Sequence, residues 1–217
     1  MNELLRCTDC PRLAGFLAEV RSRNPDYHAR PVLPFGDPQA RLLIVGLAPG
    51  MHGANRTGRP FTGDHAGILL YETLHAFGFA SKPVSLAAED DLRLMDCRIT
   101  NAVKCLPPEN KPEPAEIRTC NRYLAAELAA SPGLRVILAL GLVAHKAVLM
   151  ATGLKQSALA FGHAARHVLP PHDLARSSAG GRILIDSYHC SRYNTQTRRL
   201  TAAGFQNVFR SIRAELA

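Results

Sequence analysis

The stretch RLLIVGLAPGMHGANRTGRPFTGD, residues 41–64, decides the fold. It begins as a continuous apolar run, RLLIVG (41–46), and turns into a glycine-rich loop that ends on Asp64. DHAGILLYETLHAFG then follows with helical spacing. An apolar run without alternation suits a strand buried on both faces of a parallel sheet. Three more runs read the same way: CRITNAV (97–103), RVILAL (135–140) and RILIDSY (182–188). The helical patterns PAEIRTCNRYLAAELAA, GLVAHKAVLMATG and RRLTAAGFQNVFRSIRAEL follow the second, third and fourth. Strand and helix alternate, so the fold class is α/β, with helices on both faces of a short parallel sheet. In such sheets ligands bind beyond the carboxyl ends of the strands. That singles out residues 46–64, 101–112, 141–146 and 189–198.

Nothing divides the chain. At 217 residues it is long enough for one full core, and it shows no internal repeat and no linker, so one domain over 1–217 is expected. His163 to Gly181 carries PP and GG turn signals and reads as an irregular surface excursion. The longest apolar run, VILALGLVA (136–144), falls short of the ~18 residues of a membrane span, and MNELLRCTDCPRL lacks a signal pattern. These features place the chain in the cytoplasm, away from membranes. A formal charge of +8 and a pI near 9.5 make polyanions natural partners.

The glycine-rich loop is not an ordinary phosphate loop. GANRTGRP (53–60) approaches the G-x-x-x-x-G-K-[ST] pattern but has Arg59 for the lysine and Pro60 for the hydroxyl that holds magnesium. Glycine backbone still allows close approach to a flat ligand. Asp64 sits at the N-cap of the following helix, a role that needs no chemistry.

Six cysteines in a reducing compartment point to metal or catalysis rather than disulfides. Cys7 and Cys10 form C-x2-C, and Cys105 and Cys120 flank LPPENKPEP downstream. Four thiolates from two segments suit tetrahedral zinc or an iron–sulfur cluster; the wide second spacing departs from a zinc ribbon and favours iron–sulfur. Inert free thiols are the plain alternative, and a redox C-x2-C would normally follow a strand. Cys97 reads as core.

With GLAPGMHGANRTGRPFTGD, ITNAVKCLPPENKP, HCSRYNTQTRRLT and this cysteine arrangement in hand, the sequence resembles the uracil-DNA glycosylase superfamily, most closely family 5, the iron–sulfur type B enzymes. The resemblance implies a three-layer α/β/α sandwich around a four-stranded parallel sheet. It implies a 4Fe-4S cluster on Cys7, Cys10, Cys105 and Cys120, structural in role. It implies a monofunctional hydrolase that excises uracil flipped out of DNA, with hypoxanthine, ethenocytosine and hydroxymethyluracil as further substrates. Phe61 would stack on the base, Asn101 read its edge, and the backbone of Gly46, Leu47 and Ala48 contact it. Asp64 would handle the water and favour the cationic sugar, and His189 would donate to the base O2. In the loop after His189, Tyr193 and Asn194 are candidates for the wedge, and Arg192, Arg198 and Arg199 for phosphate contact. The protein would act on DNA as a monomer. Two departures stand out. Cys190 occupies the place of a proline, which implies a freer loop and an exposed, oxidisable thiol. The first segment lacks the polar residue other branches carry after the first strand, which moves water handling to Asp64. An iron–sulfur damage sensor that flips without cutting is the competing function.

Overall fold

The computed structural model describes residues 2–170 and 181–217. The four expected strands form at the centre of the sheet: β2 (Leu42–Gly46), β3 (Cys97–Asn101), β4 (Val136–Leu140) and β6 (Ile183–Ser187). They are parallel neighbours in the order β3-β2-β4-β6. Two short edge strands make the sheet six-stranded: β1 (Phe35–Gly36) on β3 and β5 (Arg166–Val168) on β6, both antiparallel. Neither was expected. β1 is two residues long and β5 shows no apolar run, so no periodicity marks them. β5 also lies within the segment read as an irregular excursion, whose residues 171–180 lie outside the described residues.

The helices are α1 (Asn2–Leu5), α2 (Pro11–Arg23), α3 (Ala54–Thr57), α4 (His65–Ala76), α5 (Pro114–Ala129), α6 (Leu142–Ala151), α7 (Arg192–Gln196) and α8 (Ala202–Leu216). Successive side chains of a strand point to opposite faces. Leu42, Ile44, Val136 and Leu138 therefore join Leu70 and Leu74 of α4 and Phe205, Val208 and Phe209 of α8 in one core. Leu43, Val45, Ile137 and Ala139 pack on the other face against Leu124 and Leu128 of α5 and Ala147 and Val148 of α6. The result is the three-layer α/β/α arrangement. A third cluster joins Leu13, Leu17 and Val20 of α2 to Cys105, Leu106 and Cys120. This helix was not anticipated, although Pro11 at its first turn and the spacing of those three residues were its signals. Among the described residues no helix is long and apolar enough to cross a membrane.

The topology fixes where side chains converge. Gly46 pairs in register with Asn101, and Leu140 with Ser187. The residues following these four strand ends therefore meet above one edge of the sheet.

Candidate active site

A cavity of about 430 Å³ opens at that edge. Each central strand contributes to it: Leu47 and Ala48 after β2, Asn101 at the end of β3, Gly141 to Val143 after β4, His189 after β6. Phe61 and Asp64 enter from the glycine-rich loop, and Asn110 from the loop after β3.

The loop is built to bring Phe61 over β2. Phe61 has φ 54°, the left-handed region that a bulky residue occupies only when its surroundings enforce it. Those surroundings are explicit. Tyr71 donates to the Pro60 carbonyl at 2.9 Å. Arg59, buried, donates from Nε to Thr62 Oγ1 at 2.9 Å and pairs with Asp90 at 2.6 Å. Arg59, which stands where a phosphate-loop lysine would, is thus spent on holding the turn. Gly46 backs the cavity: a Cβ there would stand 2.4 Å from Asn101 Oδ1 and 2.7 Å from the Phe61 ring. Gly46→Ala should therefore displace the ring or the amide by about 1 Å, a shift worth about a hundredfold in turnover. The check is steady-state kinetics beside an unchanged far-UV circular dichroism spectrum. Wild-type kinetics would show that the close approach is unimportant.

Asn101 is buried, and its Oδ1 has no hydrogen-bond partner among the described residues. A buried unpaired acceptor is costly in an empty protein and is explained by a donor that arrives with a ligand. The His189 ring faces Phe61 at 5.7 Å between centroids, 28° from parallel. Burial lowers the His189 pKa to about 4, so the ring is neutral at pH 7 and offers one N–H.

Asp64 does cap α4, accepting from Gly67 N at 2.9 Å. The cap leaves its other oxygen free. Oδ2 lies over Gly53, where a Cβ would come within 2.4 Å. Burial raises the carboxyl above its ordinary value, opposed by the Gly67 and Ala66 amides. The cap therefore leaves one carboxylate oxygen available at the cavity.

The segment after His189 forms α7 rather than an open loop. Ser191 caps it, and Asn194 Nδ2 donates to the His189 carbonyl at 2.8 Å, tying Asn194 back to the histidine. Tyr193 is 69 % exposed, and Arg192 and Arg198 are exposed. Arg198 and Tyr193 stand outside the cavity, and Arg199 covers the Tyr188 ring at 4.3 Å. Cys190 corrects the expectation of an exposed thiol. It is wholly buried in the core with Leu200 and Phe205, and burial keeps it protonated.

Cys7, Cys10, Cys105 and Cys120 border one small pocket with Leu4, Leu13, Lys104 and Tyr123. The Lys104 amide donates to Cys120 Sγ at 3.3 Å and Arg122 to Cys7 Sγ at 3.9 Å, bonds that suit thiolate acceptors. Burial pushes the Cys10 thiol up to about 11 and raises Cys105 and Cys120, so these three are held protonated as free thiols. Among the described residues no three of these sulfurs lie within 4.8 Å of one another. His145, His167 and Asp186 do lie within that limit, but they hydrogen-bond one another at 2.8 and 3.2 Å, and His145 Nε2 meets the Leu159 carbonyl.

Asn110 lies in the singled-out segment 101–112 but was not named as a site residue. It arrives through two left-handed residues, Glu109 and Asn110, after a proline pair, a turn without periodicity.

Residues 33–213 match the family model described as uracil DNA glycosylase superfamily. A type-5 uracil-DNA glycosylase of Thermus thermophilus is 50% identical over 96% of this chain and 93% of its own. One of Pyrobaculum aerophilum is 38% identical over 99% and 91%. A type-4 uracil-DNA glycosylase of the latter organism is 37% identical over 54% and 53%. Full-length similarity with the type-5 proteins and half-length similarity with the type-4 protein place this α/β/α chain: it belongs to the uracil DNA glycosylase superfamily, in its type-5 group.

Proposed function

We propose that the protein is a monofunctional DNA glycosylase that hydrolyses the N-glycosidic bond of uracil flipped out of DNA and leaves an abasic site. The observation that carries the reading is the cavity where Phe61 offers a ring face, Asn101 an unpaired acceptor and Asp64 a carboxylate at the rim. Water attacks C1′ of the deoxyribose. The bond to the base breaks, and its electron pair leaves with the base as the uracil anion. The Asp64 carboxylate faces the oxocarbenium-like sugar as the base departs, and takes the water proton as the new C1′–O bond forms. His189 donates to the base O2. Its neutrality matters, because an imidazolium would repel the developing sugar cation, while a neutral N–H still stabilises the departing anion. Asn101 Oδ1 accepts from the base edge, and Leu47 and Ala48 present backbone to it.

Hypoxanthine, ethenocytosine and hydroxymethyluracil are further substrates in this reading, since an apolar cavity with one fixed amide discriminates less than a fully paired site. Arg192, Tyr193 and Arg198 meet the DNA, and the enzyme works as a monomer in the cytoplasm. A 4Fe-4S cluster on Cys7, Cys10, Cys105 and Cys120 is supported by the four cysteines bordering one pocket and by the N–H donors that Cys120 and Cys7 receive there. It would supply structure, joining α2 to the start of α5 through bonds that buried thiols cannot make among themselves.

The test is a duplex with one U opposite G, beside duplexes carrying the other bases. Strand cleavage only after alkali supports the reading. Tight, salt-sensitive binding without any cleavage would leave the damage sensor instead.

A further inference from the structure

We propose that a second cleft, on the far side of Asp64 from the base cavity, carries the stretch of the damaged strand next to the flipped nucleotide. In it Arg56 and Arg192 hold phosphates, and Ile68, Val84 and Leu86 lie against sugar and base faces. The proposal rests on the glycosylase reading of the first cavity.

The cleft has a volume of about 480 Å³ and shares a single lining residue, Asp64, with the base cavity. A nucleotide whose glycosidic bond lies at Asp64 must pass its backbone onward, and this cleft begins there.

Its electrostatics fit a phosphodiester. Arg56, Arg192 and His65 line it, and Asp64 is its one carboxylate among the described residues. Arg12, Arg41, Arg59, Arg122 and Arg166 are each paired with a carboxylate. Arg56 and Arg192 form no salt bridge among the described residues. Arg56 uses Nε on the His52 carbonyl, at 2.8 Å, and keeps its two terminal nitrogens. Unpaired guanidinium groups at a concave surface are suited to phosphate, which they bind in a bidentate fork.

Its apolar side fits too. Ile68, Val84 and Leu86 are 55, 49 and 70 % exposed. Large aliphatic side chains gathered beside arginines mark a contact surface rather than a solvated face. They are presented rigidly. Ser85, between the latter two, is buried and bonds Arg59 at 2.8 Å and Thr62 Oγ1 at 2.7 Å, and its carbonyl accepts from Gly63 N at 3.0 Å. Asp90, the partner of Arg59, accepts from Leu86 N at 3.0 Å. The buried arginine that fixes the Phe61 turn therefore also fixes Leu86. Base cavity and strand cleft share one brace, which keeps them in register.

The two kinds of contact are separable by salt. Binding is measured on a duplex carrying a tetrahydrofuran abasic residue, across a salt series, for Arg56→Gln and Leu86→Ser. Both positions are exposed, and melting temperatures confirm folding. Arg56→Gln should flatten the slope of log Kd against log salt by about 0.9, one phosphate contact. Leu86→Ser should weaken binding about tenfold at every salt concentration, the scale of burying an aliphatic side chain, with the slope unchanged. Both should raise KM for uracil release and leave kcat alone. Wild-type Kd and slope in both variants, with uracil still released by the wild type, would overturn the proposal and give the cleft to another ligand. Absence of uracil release by the wild type would overturn the underlying activity. A flattened slope in Arg56→Gln would then still support the cleft as a nucleic-acid surface.

Discussion

Asp64→Asn lowers the rate of uracil release by about a hundredfold or more, the scale of removing a general base, and does not lower the melting temperature. The two halves of this expectation come from the same side chain. Asparagine caps a helix as well as aspartate, so the bond to the Gly67 amide survives. What disappears is the charge. Burial raises the Asp64 pKa in the folded protein, so the ionised form is disfavoured by folding. The cost is absent below the unfolded pKa, grows as pH rises to the folded pKa, and is constant above it. At pH 7 the wild type bears all of that cost and the variant none, so its stability is equal or higher. Asp64→Ala, in contrast, loses the cap and about 1 kcal/mol with it. The pH profile gives an independent reading. Activity of the wild type should fall as pH drops through the raised Asp64 value, above the ordinary carboxylate pKa of 3.8. His189, already neutral down to about 4, contributes no limb near neutrality. An asparagine variant that keeps the wild-type rate would remove Asp64 from the chemistry and leave it as a cap. Single-turnover rates and thermal melts on the same preparations decide between the two.

If the proposed cluster is present, Cys120→Ala should remove its visible absorbance and a large share of the protein's stability. Structural metal sites contribute apparent binding energies of ~10–16 kcal/mol in small zinc domains, comparable with the ~5–15 kcal/mol that holds a whole domain folded. Cys120 is on α5, Cys105 precedes it, and Cys7 and Cys10 lead into α2. Loss of one sulfur therefore releases the N-terminal segment from the site-forming loop after β3, which also carries Asn110. Iron and labile sulfide analysis, absorbance and denaturant unfolding check this together. A colourless wild type with bound zinc would contradict the cluster. A brown Cys120→Ala protein of wild-type stability would contradict the assignment of this ligand. Cys97→Ala, at a buried position away from the four, should keep its colour.

The central sheet was readable because β2 and β4 are buried at every residue and their sequences are apolar throughout. The carboxyl-end rule then directed attention to Asn101, His189 and the glycine-rich loop, all of which line the cavity or enter it. What escaped reading depends on contacts distant in sequence. The edge strands draw their bonds from β3 and β6 rather than from any pattern of their own. Arg59 could be seen to fail as a phosphate ligand, but its partner Asp90 lies across a loop with no motif. Cys190 looked exposed because polar neighbours surround it in sequence; it is buried in the core cluster that also holds Leu200 and Phe205, residues distant from the loop's own pattern. The exposed trio Ile68, Val84 and Leu86 spans a helix and a loop, and only the fold brings it beside Arg56 and Arg192.

The most direct measurement is detection of the released base itself. A U·G duplex is incubated with the iron-loaded protein in excess, and free uracil is quantified by mass spectrometry beside intact strand length before alkali. The expected result is one uracil released per duplex, an unbroken strand, and an alkali-labile site at the same position. A protein that binds the duplex tightly and releases no uracil would contradict the account.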